Sequence, residues 1–439
     1  MENNVYWDMV ERVKRLPRLQ VYRNNNTVAE IDGFPLIIED IVKAAMISRL
    51  NLLLCSERGE GKTQLMNDVA NNWFGGNSVY LRARPDSDPK EIYEKFNIDK
   101  LEKELTPAIK IPLVLIDEIN RAPSITQNQF FNMFDGYIET GKGTRIPLGY
   151  KGYHVVIASA NIGDGRYYGT FDVDPGLTDR FHIVLDMDNH PPDTKDNLEI
   201  ILSDTDPIIL DSKREDHIED IIYVKNLLNN VEMDISAYLA LSFLRDGLDY
   251  CLPEKSYGTK SKRMIPNAIP EICEGCSRLG DGCGYIRPLS VRGEKALKKF
   301  VCGIKVVAGA KGNTDEIVSY RDVFEAFKIM APYSNIIDDY WVRREYCSNP
   351  SLAILDLTRR FQEGFDEKRE LIEEAFLDSV KGKLGTSTLD KLNHEWEFCG
   401  EIFREINNIA QEQGDLSKKS EEEYKTLVKR YPILKVFVE

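Results

Sequence analysis

Long apolar runs are missing from this chain: nowhere do about 18 apolar residues follow one another, the length a membrane-crossing helix needs. The amino end, "MENNVYWDMVERVKRL", also lacks the apolar segment of a secretory leader, so a cytoplasmic protein without membrane partners is expected. Cysteine is scarce, 8 in 439 residues, which excludes a disulfide scaffold and leaves buried thiols or metal ligands as roles. Positive charge is in deficit, with 57 Lys and Arg against 72 Asp and Glu and a net charge of -15. Such a surface argues against general nucleic-acid binding, which needs a basic stripe. The five histidines (His154, His182, His190, His217, His394) show no ligand-like pairing, and His154 and His182 read as sheet residues. Internal repeats and low-complexity tracts are absent too.

What remains is ordinary globular composition, 42% hydrophobic and 29% charged, at a length that suggests two or three domains. Between residues 35 and 190 the apolar runs "NLLLC", "SVYLRA", "PLVLID", "HVVIAS" and "HIVLDM" alternate with helical patterns. Near-continuous apolar strands separated by helices imply an α/β fold with a parallel sheet buried on both faces. Residues 1–34 read as a helical or extended lead-in, and 191–346 as a helical region interrupted by a loop-rich insertion over 251–288. Residues 347–439 read as a charged helical tail, either a separate module or the completion of the preceding one.

The stretch "SERGEGKT" joins the first apolar run to a helix. A strand, a glycine-rich turn and a helix together aim backbone N–H groups and the positive end of a helix dipole at an anion. The candidate loop is Ser56, Glu57, Arg58, Gly59, Glu60, Gly61, Lys62, Thr63 and Gln64. Gly59 and Gly61 permit close approach to phosphates, Lys62 would reach the β and γ oxygens, and the Thr63 hydroxyl would hold Mg²⁺. Ser56 stands where the usual pattern has glycine, which is tolerable if its backbone angles are ordinary.

In "IPLVLIDEINRA" a buried strand delivers Asp117 and Glu118 to its carboxyl end, where ligands bind in open parallel sheets. Asp117 would hold Mg²⁺ through water, and Glu118 would deprotonate an attacking water. A third strand ends at Asn161, positioned to orient the same water, and "LTDRF" then presents Arg180. Arg180 suits a contact with a neighbour's γ-phosphate, or else a surface pairing with Asp179.

These motifs in this order resemble the MoxR branch of the AAA+ ATPases, and the loop "GDGRYYGT" is similar to its cobaltochelatase-subunit and NorQ-like members. The resemblance extends over roughly residues 35 to 340, through "RARPDSDPKEIYEKF" and, more loosely, "IRPLSVRGEKALKKFVCGIKVVAG" with "VSYRDVFEAFKIMAP". It implies a P-loop core followed by a helical lid. It also implies that Lys62 and Thr63 form Walker A, Asp117 and Glu118 Walker B, Asn161 sensor 1, Arg180 an arginine finger and Arg292 sensor 2. "SVRG" lacks the proline common before that last arginine. Members assemble as rings, usually hexamers, and use ATP and Mg²⁺ to remodel partner proteins, often with a von Willebrand factor A protein. "GYIETGKGTRIPLGY" (Gly136–Tyr150) reads as a hairpin, and in that branch such an insertion faces the pore or partner; Lys142 and Arg145 are its candidate contacts, a solvated tip the alternative.

Cys273, Cys276 and Cys283 in "CEGCSRLGDGC", with Cys251 upstream, form a candidate structural Zn²⁺ site or a set of unligated packing cysteines. Trp396, Phe398 and Phe403 in the tail read as core. Two other functions stay open: a McrB-like motor of a nucleic-acid defence system, since "LIDEINR" also occurs there, and a non-hydrolysing scaffold gated by nucleotide.

Overall fold

The five apolar runs form one sheet. The computed structural model describes residues 5–57, 59–97, 102–140, 143–161, 171, 173–203, 214–249, 285–392 and 397–436. The runs become β1 (Leu52–Ser56), β2 (Ser78–Arg82), β3 (Leu113–Asp117), β4 (Val155–Asn161) and β5 (Ile183–Asp186). Neighbours are all parallel, in the order β5-β1-β4-β3-β2. Residues of β1, β3 and β4 are buried throughout, which explains why their sequences carry no polar alternation. On one face Leu53, Val114, Ile116, Val156 and Ala158 pack with Phe130, Phe134 and Phe181. The rings of Phe134 and Phe181 meet edge to face at 4.7 Å. The alternate residues Leu52, Leu54, Leu113 and Leu115 are buried on the other face.

Strand β2 departs from the expectation of two buried faces. It is the edge strand, no residue of it is fully buried, and Tyr80 is 47% exposed.

The Gly136–Tyr150 segment is a hairpin in which Tyr137–Glu139 pairs antiparallel with Arg145–Pro147. Arg145 lies over the Tyr137 ring, 4.9 Å from its centre, and Lys142 falls outside the described residues. Two other hairpins were not legible, Thr27–Ile31 with Phe34–Ile37 and Glu94–Asn97 with Glu102–Leu105. The second consists of "EKFN" and "EKEL", which offer no apolar run to announce a strand.

The chain divides into two compact units: Met1–Val231 with Lys299–Glu316 and Ile329–Asn335, and Glu232–Lys298 with Ile317–Lys328 and Ile336–Glu439. In the first, the amino-terminal helix Val5–Lys14 packs where Gly309 leaves room; a Cβ there would come within 2.7 Å of the Tyr6 hydroxyl. That hydroxyl donates to the Lys305 carbonyl at 3.0 Å, and the fully buried Lys305 ammonium pairs with Asp32 at 2.6 Å. His154 is also buried, with Nε2 3.0 Å from the Met133 carbonyl, and burial pushes its pKa down to about 4. It is therefore neutral and structural. His182 Nδ1 accepts the Asn51 N–H at 3.1 Å.

The second unit is helical. Its core includes Phe243, Phe324, Phe361 and Phe365, with Phe243 and Phe361 edge to face at 5.0 Å. The tail joins this unit through the helix Pro350–Val380, whose first turn is capped by the Asn349 side chain accepting from the Leu352 N–H. Phe403 is fully buried, whereas Trp396 and the Phe398 side chain lie outside the description. Among the described residues no helix is long and apolar enough to cross a membrane.

Candidate active site

The glycine-rich loop leaves β1 and enters the helix Lys62–Trp73. Gly59 (φ 95°) and Gly61 (φ 79°) take left-handed conformations that side chains resist, and Gly61 is the helix N-cap. Ser56 is the last residue of β1, fully buried and extended, so a glycine is not required there. Its hydroxyl accepts from Lys62 Nζ at 2.6 Å and donates to the Glu57 carbonyl at 2.9 Å. Lys62 Nζ also donates to the carbonyls of Ser56 (2.9 Å) and Glu57 (2.7 Å). Burial holds the Lys62 pKa below the ordinary lysine value. Arg58 falls outside the described residues, and Gln64 donates to Asp68 at 2.9 Å.

Two unforeseen residues border the loop. The Asp188 carboxylate accepts the Glu57 N–H at 2.9 Å, and burial raises its pKa. Tyr22, anchored by its N–H on the Asp68 carboxylate at 2.7 Å, lays its ring where a Cβ on Gly61 would meet it at 3.3 Å.

The order of the sheet brings Asp117, Glu118 and Asn161 to the loop. β4 lies between β1 and β3, with Asn161 in register with Ser56, so the loop and the carboxylates of β3 flank the end of one strand. Thr63 Oγ1 lies 3.4 Å from both Asp117 carboxylate oxygens, and Asn161 Nδ2 donates to Glu118 Oε1 at 3.2 Å. Glu118 leaves the strand with φ 52° and ψ 50°, a left-handed conformation costly for a residue with a Cβ and typical of functional positions.

Ser159, two residues before Asn161 on β4, donates to Asp117 Oδ1 at 2.6 Å and accepts the Glu118 N–H at 2.9 Å. Asn120 fixes the end of the same strand by donating to the Asn161 carbonyl at 2.8 Å. From β2, Tyr80 donates its hydroxyl to Asp117 Oδ2 at 2.7 Å, and Arg82 reaches Glu118 Oε2 at 2.9 Å. Arg121 binds the same carboxylate at 2.7 Å. Burial pushes the Glu118 pKa up, but hydrogen bonds from Arg82 and Arg121 outweigh it and leave the carboxyl below the usual glutamate value. The only sequence signal for Tyr80 and Arg82 was their spacing of two, which puts both on one face of a strand.

Arg180 stands apart from this cluster. It pairs with Asp135 at 3.1 Å, donates to the Gly176 carbonyl at 2.7 Å and covers the Phe131 ring at 4.3 Å. Arg292 is exposed in the first turn of the helix Val291–Ala310, within the second compact unit. Cys251, Cys273, Cys276 and Cys283 lie outside the described residues, as does the "GDGRYYGT" loop. Among the described residues no group of three His, Cys, Asp or Glu is placed to hold a metal.

No family model matches the chain. A crystal structure from Cytophaga hutchinsonii, of a protein provisionally named an ATPase, superposes with a TM-score of 0.55, covering 81% of this chain and 94% of that one at 16% identity. The two share a fold, a parallel α/β sheet with helices together with a helical region. In sequence, 128 residues are 31% identical to the chloroplastic chaperone protein ClpD1 of Oryza sativa subsp. japonica. That match spans 26% of this chain and 13% of the chaperone, a small part of its length. The cluster at the carboxyl ends of β1, β3 and β4 is the candidate nucleotide site.

Proposed function

We propose that this protein is a MoxR-type AAA+ ATPase that hydrolyses ATP between subunits of a ring and uses the energy to remodel or activate a partner protein. The observation that carries the reading is the convergence of Lys62, Thr63, Asp117, Glu118 and Asn161 at adjacent strand ends. The loop amides and Lys62 would bind the β and γ phosphates, Lys62 exchanging its present carbonyl partners for phosphate oxygens. The Thr63 hydroxyl and the Asp117 carboxylate, adjacent hard oxygen donors, fit Mg²⁺. Bound there, Mg²⁺ would neutralise charge on the phosphate oxygens. Glu118 would take the proton of the attacking water, with Asn161 orienting the carboxylate. Arg180, held in one place by Asp135 and Phe131, would act on the nucleotide of the next subunit, where such arginines add about 10³ to 10⁵ in rate. Arg292 would serve as sensor 2, and a von Willebrand factor A protein is the partner class the resemblance implies.

A second reading, a nucleotide-gated scaffold, draws on one observation. Arginines engage both Glu118 oxygens and Asn161 shares one of them, so the carboxylate is occupied and one of these donors must give way before it can accept a proton.

ATP turnover measured against protein concentration, with particle mass in the same buffer, separates the two. Glu118→Gln is expected to lose about 10² to 10⁴ in rate while still binding ATP. If the wild type binds ATP and assembles but turns over no faster than Glu118→Gln, the scaffold reading replaces the ATPase.

A further inference from the structure

Tyr80 raises a packing question that its ring does not answer. A large aromatic side chain on an edge strand, 47% exposed, gains little from burial. Its hydroxyl, however, has a specific destination. Tyr80 stands in register with Leu115, two residues before Asp117 on the neighbouring strand, and reaches forward to donate to Asp117 Oδ2 at 2.7 Å. From the other side, β4 supplies Ser159 Oγ to Asp117 Oδ1 at 2.6 Å. Each carboxylate oxygen therefore accepts one hydrogen bond from a flanking strand, which fixes the plane of the group. A carboxylate oxygen has two lone-pair sites, and the remaining one on each oxygen faces the Thr63 hydroxyl, which donates at the long distance of 3.4 Å that a cation between the two groups would replace.

We infer that Tyr80 is a positioning residue for the divalent cation that accompanies the nucleotide, acting by holding the Asp117 carboxylate in its ligating orientation. The inference rests on the nucleotide reading above and adds to it a residue that lies outside both the phosphate loop and the acidic strand end. Groups that orient a metal ligand from behind are worth about 10- to 100-fold in metal affinity. Tyr80→Phe keeps the ring and removes only the hydroxyl, and thereby tests the bond without opening a cavity.

The measurement uses the full chain with ADP at saturation and Mn²⁺ as the probe, free Mn²⁺ being read by electron paramagnetic resonance. ADP affinity in EDTA is measured alongside. Tyr80→Phe is expected to raise the Mn²⁺ concentration for half-saturation about tenfold, with metal-free ADP affinity and melting temperature unchanged. An unchanged Mn²⁺ half-saturation overturns the inference. So does a parallel loss of Mn²⁺ and metal-free ADP affinity, which would mean that the hydroxyl merely supports the fold. If the wild type itself binds no ADP, the nucleotide reading fails and this inference falls with it.

Discussion

Strand β3 is buried at all of its residues, whereas its hydrogen-bonded neighbour β2 is half-exposed or exposed at all of its own. The two lie in register from Ser78 and Leu113 to Arg82 and Asp117; β3 leads into the two carboxylates, and β2 delivers side chains to both of them. Burial forced β3 into an unbroken apolar run ending in two acids, a pattern that stands out in any sequence. At the edge of the sheet no such pressure acts, so Tyr80 and Arg82 sit in a strand of mixed character and look like ordinary surface residues. Side chains can thus be equally close to the site while only those on buried strands are visible in the sequence.

That contrast can be attacked first where it is largest. Ile116→Ala in β3 removes a fully buried side chain and should destabilise by about 2–5 kcal/mol, whereas Val79→Ala in β2 should lose only about 1 kcal/mol. Denaturant unfolding of the two variants checks this; equal losses would erase the distinction between centre and edge.

Arg82→Ala probes the functional side of the same edge. Because Arg82 helps to hold the Glu118 carboxyl below its usual range, removing it should move the acid limb of the kcat/KM profile for ATP to higher pH. The sign follows from the base being active when ionised: a higher pKa means protonation, and loss of rate, at a higher pH. A limb that stays in place would leave Arg121 as the group that sets the base.

The smallest effect belongs to the residue that looked most anomalous. Ser56→Ala removes one of three oxygen partners that hold Lys62 away from a phosphate, so ATP should bind equally well or up to about threefold more tightly. A tenfold loss in equilibrium binding would show instead that the hydroxyl itself touches the nucleotide.

Much of the fold was legible because it is written in local patterns. All five strands and the hairpin over Gly136–Tyr150 follow from periodicity and turn chemistry over a few residues. The hairpin "EKFN" with "EKEL" was not, since its strands have no buried face to shape them. Asp135 as partner of Arg180, and Asp188 at the phosphate loop, depend on segments 45 and 131 residues apart in sequence.

By itself the sequence determined the order of strand, glycine loop, helix and acidic strand end, and with it the set of groups proposed to bind phosphate, hold a cation and take a proton. Tertiary structure decided which neighbours those groups have. Setting β4 between β1 and β3 gives Asp117 and Glu118 their contacts with Ser159 and Asn161, and placing β2 at the edge supplies Tyr80 and Arg82. The reason is physical: strand formation responds to the burial of nearby residues, but the identity of a strand's neighbour is fixed only when the whole sheet closes around its core.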